Sequence, residues 1–319
     1  MRAERTIFSP EVAIFVKVCY NLSIKLRAPR ARERRASVKI SRSKLQPQAG
    51  ESLMQTLRRL RALGVRVPSA KMIKTPEQIV GCREAGRVNS LILDAVERQI
   101  CAGMSTAEID DIVVRETRAL GGRAACLGFE GFPRSVCTSL NDVVCHGIPS
   151  EREILREGDI INVDCTTEYG GYFGDASRMF CIGRVSEAAG RLVSLTQTAV
   201  ETAVAAIKPF STTLGDIGYI INGLARKNGY TVVREIGGHG VGLAMHEDPY
   251  VCHVGLPGQG MLLVPGMIFT VEPMINQGSA KFFVDSDDGW TVYTDDGRLS
   301  AQVEYEILIT EDGVEILSR

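Results

Sequence analysis

Apolar residues recur at helical spacing in two consecutive stretches of the chain. The first begins at Thr75-Pro76-Glu77-Gln78, where a capping threonine, a proline at the first helical position and a glutamine form a capping box. This helix is expected to run toward Ile100. A second capping box, Ser105-Thr106-Ala107-Glu108, opens a helix that should end at Gly121-Gly122. Short strand-like runs follow these two helices.

The same order of elements returns later in the chain. A helical pattern over 186–208 is broken at Pro209, and another begins at Thr212 or Thr213 and continues to about residue 228. Strand-like runs such as 230–233 and 267–271 come next. This repetition of helix, helix and strands predicts an α+β fold whose two halves are related by a pseudo-twofold axis.

One predicted hairpin carries two aspartates. Residues 160–169 are rich in strand formers, Gly170-Gly171 is a two-residue turn, and 172–182 is the returning strand. In that register Asp164 and Asp175 are diagonal neighbours on one face, with Cα atoms about 7–8 Å apart. Two carboxylates placed so closely repel each other unless a cation lies between them. The alternative is a solvated face of the hairpin.

One histidine and two glutamates complete a candidate ligand set. His239 lies in a glycine-rich run that lets the backbone approach a ligand, and the run lacks the GK[ST] and GxGxxG signatures of phosphate loops. Glu272 ends an apolar strand before Pro273, and Glu304 lies in a β-branched run; either alone is typical of an exposed edge position. Two Asp, two Glu and one His together match the ligands of a pair of divalent metals about 3.5–4 Å apart. Carboxylates with one imidazole are typical ligands of Mn, Fe, Co or Zn, and they do not indicate a structural zinc site with thiolate ligands.

Charge is distributed unevenly along the chain. The 319 residues have a net charge of −1, but residues 1–70 hold 16 Lys and Arg against 4 Asp and Glu, so a basic segment precedes an acidic remainder. Nine cysteines without a CxxC pair indicate a reducing compartment, and no apolar run is long enough to span a membrane. We expect residues 1–68 to be a disordered extension, or the product of a start assigned too early. An organelle transit peptide and an RNA- or ribosome-contacting arm are the alternatives.

A series of short motifs carries a family resemblance. In chain order they are Lys74-Thr75-Pro76-Glu77, Gly131-Phe132-Pro133-Arg134-Ser135-Val136-Cys137, Asn141-Asp142-Val143-Val144-Cys145-His146-Gly147-Ile148-Pro149, Asn162-Val163-Asp164, Gly174-Asp175-Ala176-Ser177, Gly238-His239-Gly240-Val241-Gly242, Val271-Glu272-Pro273-Met274, Asp288-Gly289-Trp290-Thr291-Val292 and Ser300-Ala301-Gln302. With them the chain resembles the type I methionine aminopeptidases. The resemblance implies a pita-bread fold, two pseudo-symmetric halves with a central antiparallel sheet, and a metalloaminopeptidase catalytic domain over 69–319.

The resemblance also implies roles for individual residues. Five match the ligands of two divalent metal ions: Asp164, Asp175, His239, Glu272 and Glu304. The implied reaction is metal-assisted hydrolysis of the first peptide bond, which removes the N-terminal methionine from nascent proteins and peptides. Glu272 would take and relay the proton, His246 would hydrogen-bond the developing oxyanion, and His146 would contact the amide on the leaving-group side. His253 matches no motif, and we interpret it as a structural histidine.

The resemblance further implies a pocket for the methionine side chain. Its walls would be Cys126, Phe129, Phe132, Cys137, Met245 and Trp290, residues that pattern alone would assign to a core. The chain departs from the family at Tyr305-Glu306, where His-Thr is usual, at Met245, where an aromatic is common, and at Glu130. By strand alternation Glu306 should share a face with Glu304 and add negative charge near the metals, or pair with a basic side chain.

Two other kinds of protein remain as alternatives. One is an Xaa-Pro-type aminopeptidase of the same fold, although such relatives carry a folded domain before the catalytic unit. The other is a non-catalytic pita-bread module that binds ribosome or RNA, although it should have lost metal ligands. The favoured interpretation is a monomeric cytoplasmic enzyme without a membrane partner. It leaves ribosome association and organelle targeting by residues 1–68 as open alternatives.

Overall fold

The helices begin at the capping residues that the sequence marks. The fold is known from a computed structural model, which describes residues 41–319. Its helices there are α1 Arg42–Leu45, α2 Leu53–Ala62, α3 Pro76–Glu97, α4 Thr106–Ala119, α5 Glu187–Ala205 and α6 Leu214–Lys227, with 3-10 turns at Ala70–Met72 and Phe129–Gly131. Thr75 and Ser105 form the predicted capping boxes, and a further box at Thr213 decides between the two starts expected for α6.

Two helices end earlier than their patterns predict. Helix α3 stops at Glu97 rather than near Ile100, and α5 stops at Ala205 rather than at Lys208. A residue before proline is disfavoured in the helical region, so Pro209 limits α5 before the apolar pattern itself ends.

The strands are antiparallel and belong to four hydrogen-bonded sheets in the described part of the chain. Their bounds are β1 Arg123–Ala124, β2 Cys137–Leu140, β3 Val143–Cys145, β4 Ile160–Tyr169, β5 Tyr172–Cys181, β6 Thr231–Val232, β7 Gly238–Gly240, β8 Glu247–Val251, β9 Ile268–Val271, β10 Met274–Asn276, β11 Phe282–Val284, β12 Val292–Thr294, β13 Ser300–Gln302, β14 Tyr305–Ile309 and β15 Val314–Ser318. Two sheets concern the site: β4 with β1, β2 and β5, and the row β15-β14-β9-β7-β8.

The β4–β5 hairpin has the predicted register. Tyr169 faces Tyr172 and Asp164 faces Ser177 across the pair. Gly170 and Gly171 both have positive φ values, +60° and +84°, which a two-residue turn of this kind requires and glycine adopts without strain. The register therefore puts Asp164 and Asp175 on one face of the hairpin.

Each half of the fold has its own apolar core. In the first half α3 and α4 bury Ile92 and Ile109 against Val163 of β4. In the second half α5 and α6 bury Leu192 and Ile217 in a cluster that includes strands β9, β10, β13 and β14. The repeated order of two helices followed by strands confirms the predicted α+β class with paired halves.

The boundary expected at residue 68 does not match the packing. Helix α2 is amphipathic, and its Leu57 and Leu60 are fully buried in the core of the second half. Arg59 pairs with Glu51 and also donates to the main-chain carbonyls of Lys44 and Gln46. Residues 53–67 are therefore part of the folded unit, because burial of these leucines outweighs the basic composition that predicted disorder. The same expectation for residues 1–40 lies outside the described residues.

Membrane insertion has no candidate in the described part of the chain, where every helix is too short or too polar to cross a bilayer.

Candidate metal centre

Five acidic and imidazole side chains converge between the two sheets. Asp164 comes from β4, Asp175 from β5 and His239 from β7, while Glu272 follows β9 and Glu304 precedes β14. All five line one pocket. They are the five residues that the sequence analysis put forward as ligands.

A single bridge between strands brings the two halves of this cluster together. Ser177 on β5 exchanges main-chain hydrogen bonds with Glu304, at 3.4 and 3.1 Å. Asp175 lies two positions before Ser177, on the same side of its strand, and so faces the glutamate. Acceptor atoms of Asp175, His239 and Glu304 lie within 4.8 Å of one another, close enough to hold one cation.

The ring of His239 is held with its Nε2 lone pair toward the carboxylates. Its Nδ1 is 3.0 Å from the carbonyl oxygen of Gly240, which can only accept, so Nδ1 carries the proton. Nε2 is then an acceptor, 3.4 Å from Glu272 Oε1 and 3.7 Å from Asp175 Oδ2. Burial lowers the pKa of His239 to about 4, so it is neutral at pH 7. A neutral imidazole fixed from behind by a carbonyl is a typical metal ligand.

Asp175, Glu272 and Glu304 are buried and Asp164 is partly buried, and the four carboxyl groups lack a compensating cation among the described residues. Burial raises the pKa of Asp164 to about 7 and that of Glu272 to about 8. Burial and the neighbouring carboxylates raise the pKa values of Asp175 and Glu304 well above the ordinary range. Glu304 Oε1 has no hydrogen-bond partner. Such a concentration of negative charge fits divalent cations, which would replace the protons that these pKa values imply.

Glu272 is fixed by three neighbours. The Thr270 hydroxyl donates to its Oε1 at 2.6 Å, and Gln302 Nε2 donates to its Oε2 at 3.2 Å. Its main-chain N–H donates to Nε2 of His253 at 3.1 Å. His253 is fully buried, and burial lowers its pKa to about 3, which keeps the ring neutral and able to accept this bond. The glutamate that follows β9 therefore has a defined orientation rather than an exposed edge position.

Glu306 is a further buried carboxyl next to the cluster. Its Oε2 accepts the main-chain N–H of Asp175 at 3.0 Å. Burial raises its pKa to about 8, so at pH 7 it is mostly protonated and adds little of the negative charge that the sequence predicted. The positive charge of Lys74 opposes this rise in the pKa of Glu306. Lys74 does not pair with Glu306, however, because its ammonium group forms an ion pair with Glu247 at 2.6 Å.

Two more histidines lie at the mouth of the cluster. The ring of His246 is 4.3 Å from that of His239 and 5.1 Å from that of Phe129, measured between centroids. His146 has a positive φ of 57°, unusual for a non-glycine residue, and its ring lies edge-on to Trp290. Burial, helped by the neighbouring histidines, lowers the pKa of both His146 and His246. Both are therefore neutral hydrogen-bonding groups at pH 7.

An apolar pocket adjoins the carboxyl groups. The residues that the sequence analysis assigned to it line the same cavity as the five ligands: Cys126, Phe129, Phe132, Cys137, Met245 and Trp290. Phe132 meets Trp290 edge to face at 5.2 Å. Glu247 holds the loop that carries Met245 and His246, because its carboxylate accepts N–H bonds from Leu243 and Ala244 as well as the Lys74 ion pair.

Sequence reasoning missed the residues that orient the cluster. Thr166 donates to Asp175 Oδ1 at 2.9 Å, and Thr270, Gln302 and His253 support Glu272. For the threonines a signal existed, because Thr166 and Thr270 each lie two strand positions from a candidate ligand and hence on its face. Gln302 offers the same signal, since it lies two positions before Glu304, whereas for His253 no local signal exists because it reaches the site from a separate segment.

Comparison with known proteins agrees with this geometry. The model of metallopeptidase family M24 matches residues 81–311. Methionine aminopeptidase A of Synechocystis is 45% identical over 241 residues, covering 76% of this chain and 94% of that protein. The crystal structure of methionine aminopeptidase from Rickettsia prowazekii superposes with a TM-score of 0.75 at 40% identity, covering 77% of this chain and 99% of that one.

A prolidase from Pyrococcus furiosus has a TM-score of 0.62 at 22% identity and covers 78% of this chain, a likeness of fold alone. The Xaa-Pro alternative is therefore not favoured. The chain belongs to metallopeptidase family M24 and, within it, to the methionine aminopeptidases.

Proposed function

We propose that this chain removes the N-terminal methionine from nascent polypeptides and peptides by hydrolysis of the first peptide bond. The observation that carries the proposal is the convergence of Asp175, His239 and Glu304 within 4.8 Å of one another beside an apolar pocket. The relatives from Synechocystis and Rickettsia prowazekii, both methionine aminopeptidases, support the same substrate class. We further propose that residues 69–319 contain everything that catalysis requires.

The ligand set fits two divalent ions. Asp164, Asp175, His239, Glu272 and Glu304 would hold them, and their oxygen and imidazole donors favour Co, Mn, Fe or Zn. Support comes from the partnerless Glu304 Oε1 and from the Nε2 lone pair of His239, which faces two carboxylates. When bound, such ions lower the pKa of a water molecule and polarise a carbonyl group.

The residues of the chain itself provide proton transfer and hydrogen bonds. Glu272, held by Thr270 and Gln302, takes the proton that hydrolysis releases and passes it to the departing amine. His246, adjacent to His239, donates a hydrogen bond to the oxyanion that develops at the carbonyl oxygen. His146 contacts the amide on the leaving-group side. Their neutrality supports these roles, since a neutral imidazole can donate without adding charge to the site.

The apolar pocket receives the methionine side chain. A thioether among the rings of Phe132 and Trp290 and the thiols of Cys126 and Cys137 gains dispersion and sulfur–aromatic contacts. Phe129 and Met245 complete the walls. Nascent chains as substrates favour a cytoplasmic, monomeric enzyme, with ribosome association as a further hypothesis.

Release of methionine from a synthetic Met-Ala-Ser peptide tests the proposal. Purified protein supplied with Mn or Co should liberate free methionine, and a matched Ala-Ala-Ser peptide should release little alanine. Metal analysis of the same sample should approach two ions per chain. Absence of methionine release, or a metal content near zero, would contradict the proposal and favour a non-catalytic binding module.

A further inference from the structure

Two cysteines lie together at the neck of the loop that carries the pocket aromatics. Strand β5 pairs with β4 along its whole length, so β1 and β2 must share the other edge of β4. Cys126 comes two residues after β1, and Cys137 is the first residue of β2. The chain thus leaves the edge of β4 just after β1, makes a loop that holds Phe129 and Phe132, and returns at Cys137.

The two thiols lie on the same face of β4 and in one packed cluster. Cys137 lies opposite Asp164 in the sheet register, and the Cys126 thiol is 3.8 Å from the hydroxyl of Thr166, two positions further along that face of β4. The side chains pack in one buried cluster with Phe132. Both are reduced, and both line the proposed methionine pocket.

We propose that Cys126 and Cys137 form a reversible disulfide in response to peroxide, and that this bond closes the methionine pocket. The pocket gives a small oxidant access to sulfurs that are otherwise buried. Cys101 and Cys181 are exposed, but they lie in separate elements, the loop after α3 and the end of β5. Their oxidation therefore serves as the comparison for thiols that have no partner for a disulfide in the described part of the chain. The inference about the pocket rests on the proposed function, whereas formation of the bond does not.

The chemistry balances with hydrogen peroxide as the oxidant. One sulfur of the pair attacks a peroxide oxygen, the O–O bond breaks, and water leaves, which gives a sulfenic acid. The other sulfur attacks that sulfenic sulfur, the S–O bond breaks, and a second water leaves as the S–S bond forms. The two thiols supply two electrons and two protons, and one peroxide becomes two waters. A dithiol reverses the reaction by exchange.

A disulfide here would alter the wall that the substrate touches. An S–S bond is about 2.05 Å long, much shorter than a thiol contact, so both side chains must turn toward each other. The neck of the loop is then fixed, and Phe129 and Phe132 move with it. A displacement of about 1 Å in groups that position a substrate can cost about 100-fold in rate.

Peptide mapping of the full-length protein tests bond formation independently of aminopeptidase activity. Metal-free protein is treated with hydrogen peroxide, residual thiols are alkylated, and the digest is analysed by mass spectrometry with and without a dithiol. We expect a linked pair of peptides containing Cys126 and Cys137 and a loss of two titratable thiols. Neither C126S nor C137S should give the linked pair, whereas the double variant C101S/C181S should form it like the parent chain. Oxidation confined to Cys101 or Cys181, or the absence of a linked pair containing Cys126 and Cys137 from the oxidised parent chain, would overturn the proposal.

A second measurement tests the closing of the pocket. Each metal-loaded protein is compared with itself before and after peroxide, so that differences in starting activity do not matter. In the parent chain, peroxide should lower the rate of methionine release at least about tenfold, as expected for a displaced pocket wall, and a dithiol should restore it. C137S should show no such drop that a dithiol reverses. A mapped disulfide that leaves methionine release unchanged would overturn the blocking role. Absence of activity in the untreated chain would instead contradict the proposed function and leave the mapping result standing.

Discussion

The carboxyl group of Glu306 accepts a hydrogen bond from the main-chain N–H of Asp175, at 3.0 Å. This contact joins β14 to the free edge of β5 beside the bridge between Ser177 and Glu304. Next to this backbone bridge, the Glu306 side chain therefore provides a second link between the two sheets that carry the candidate ligands. We expect Glu306 to act as a positioning residue, since it holds the backbone of the candidate ligand Asp175.

The effect of replacing Glu306 on metal affinity should therefore depend on whether the new side chain can still accept the hydrogen bond from the Asp175 main chain. We expect E306A to weaken metal binding about 10–100-fold, the usual cost of removing a group that orients a ligand, and E306Q to stay within about threefold of the parent chain. Titration calorimetry with Mn or Co measures both. Equal affinity of E306A and the parent chain would contradict the positioning role.

Substitution of Asp164 should abolish turnover without unfolding the chain. Asn keeps the size of the side chain but removes the negative charge that a divalent ion requires, so D164N should lose more than about 100-fold in methionine release and bind less metal. Elemental analysis, peptide assays and circular dichroism check the three points together. The exposed D111N on α4 is the matched control. Unchanged turnover in D164N would argue against the ligand assignment.

His253 should contribute to stability through Glu272. H253A leaves the buried main-chain N–H of Glu272 without an acceptor, which typically costs about 1–3 kcal/mol. Urea unfolding of the metal-free protein measures the change in free energy. V80A on the surface of α3, where the side chain is 58% exposed, should change it by less than about 0.5 kcal/mol. A result for H253A no larger than for V80A would show that the contact is dispensable.

Metal-free protein should lose stability as the pH rises from 6.5 to 8. The folded pKa values of Asp164 and Glu272 are raised to about 7 and about 8, so the folded state binds protons more tightly than the unfolded chain does. Stability from these groups is present at low pH and is lost as the pH passes through those values, by up to about 1.4 kcal/mol per pH unit for each proton.

Histidine titration has the opposite sign and a different range. His146 and His239 have folded pKa values lowered to about 4 from 6.5, so their contribution is present above pH 6.5 and is lost below it. At pH 6.5 the unfolded histidines are still half protonated, so between pH 6.5 and pH 8 they partly offset the loss of stability from the carboxyl groups. A comparison of the parent chain with D164N by urea unfolding therefore separates the carboxyl contribution. Bound metal should make the free energy of unfolding less dependent on pH. In metal-free D164N this free energy should fall less steeply with pH than in the parent chain. A stability that rises over this range without metal would contradict the burial of these carboxyl groups.

Fluorescence of Trp290 should report occupation of the pocket, because it is the only tryptophan in the chain. Free methionine added to metal-loaded protein should change the emission, whereas alanine, which cannot reach the ring, should not. F132A removes the edge-to-face partner of Trp290, and such a pair is worth about 0.5–1.5 kcal/mol, so its methionine affinity should fall by up to about tenfold. Identical responses to methionine and alanine would argue against the pocket assignment.

The sequence by itself determined the local elements and the identity of the candidate ligands. The capping boxes at Thr75 and Ser105 start helices where predicted, and Gly170-Gly171 sets the register that places Asp164 and Asp175 on one face. These features depend on neighbours a few residues apart, whose hydrogen bonds and backbone preferences are readable from composition and spacing.

Tertiary structure decided what surrounds those ligands. The distance from His239 to Asp175, the support of Glu272 by His253 and the bond from Asp175 to Glu306 all join segments that are far apart in sequence. The same holds for Leu57 and Leu60, whose burial against the second half extends the folded unit beyond the boundary that basic composition predicted. Periodicity specifies which face of an element is apolar, but only packing selects the partner that covers it and the hydrogen bonds that become possible there.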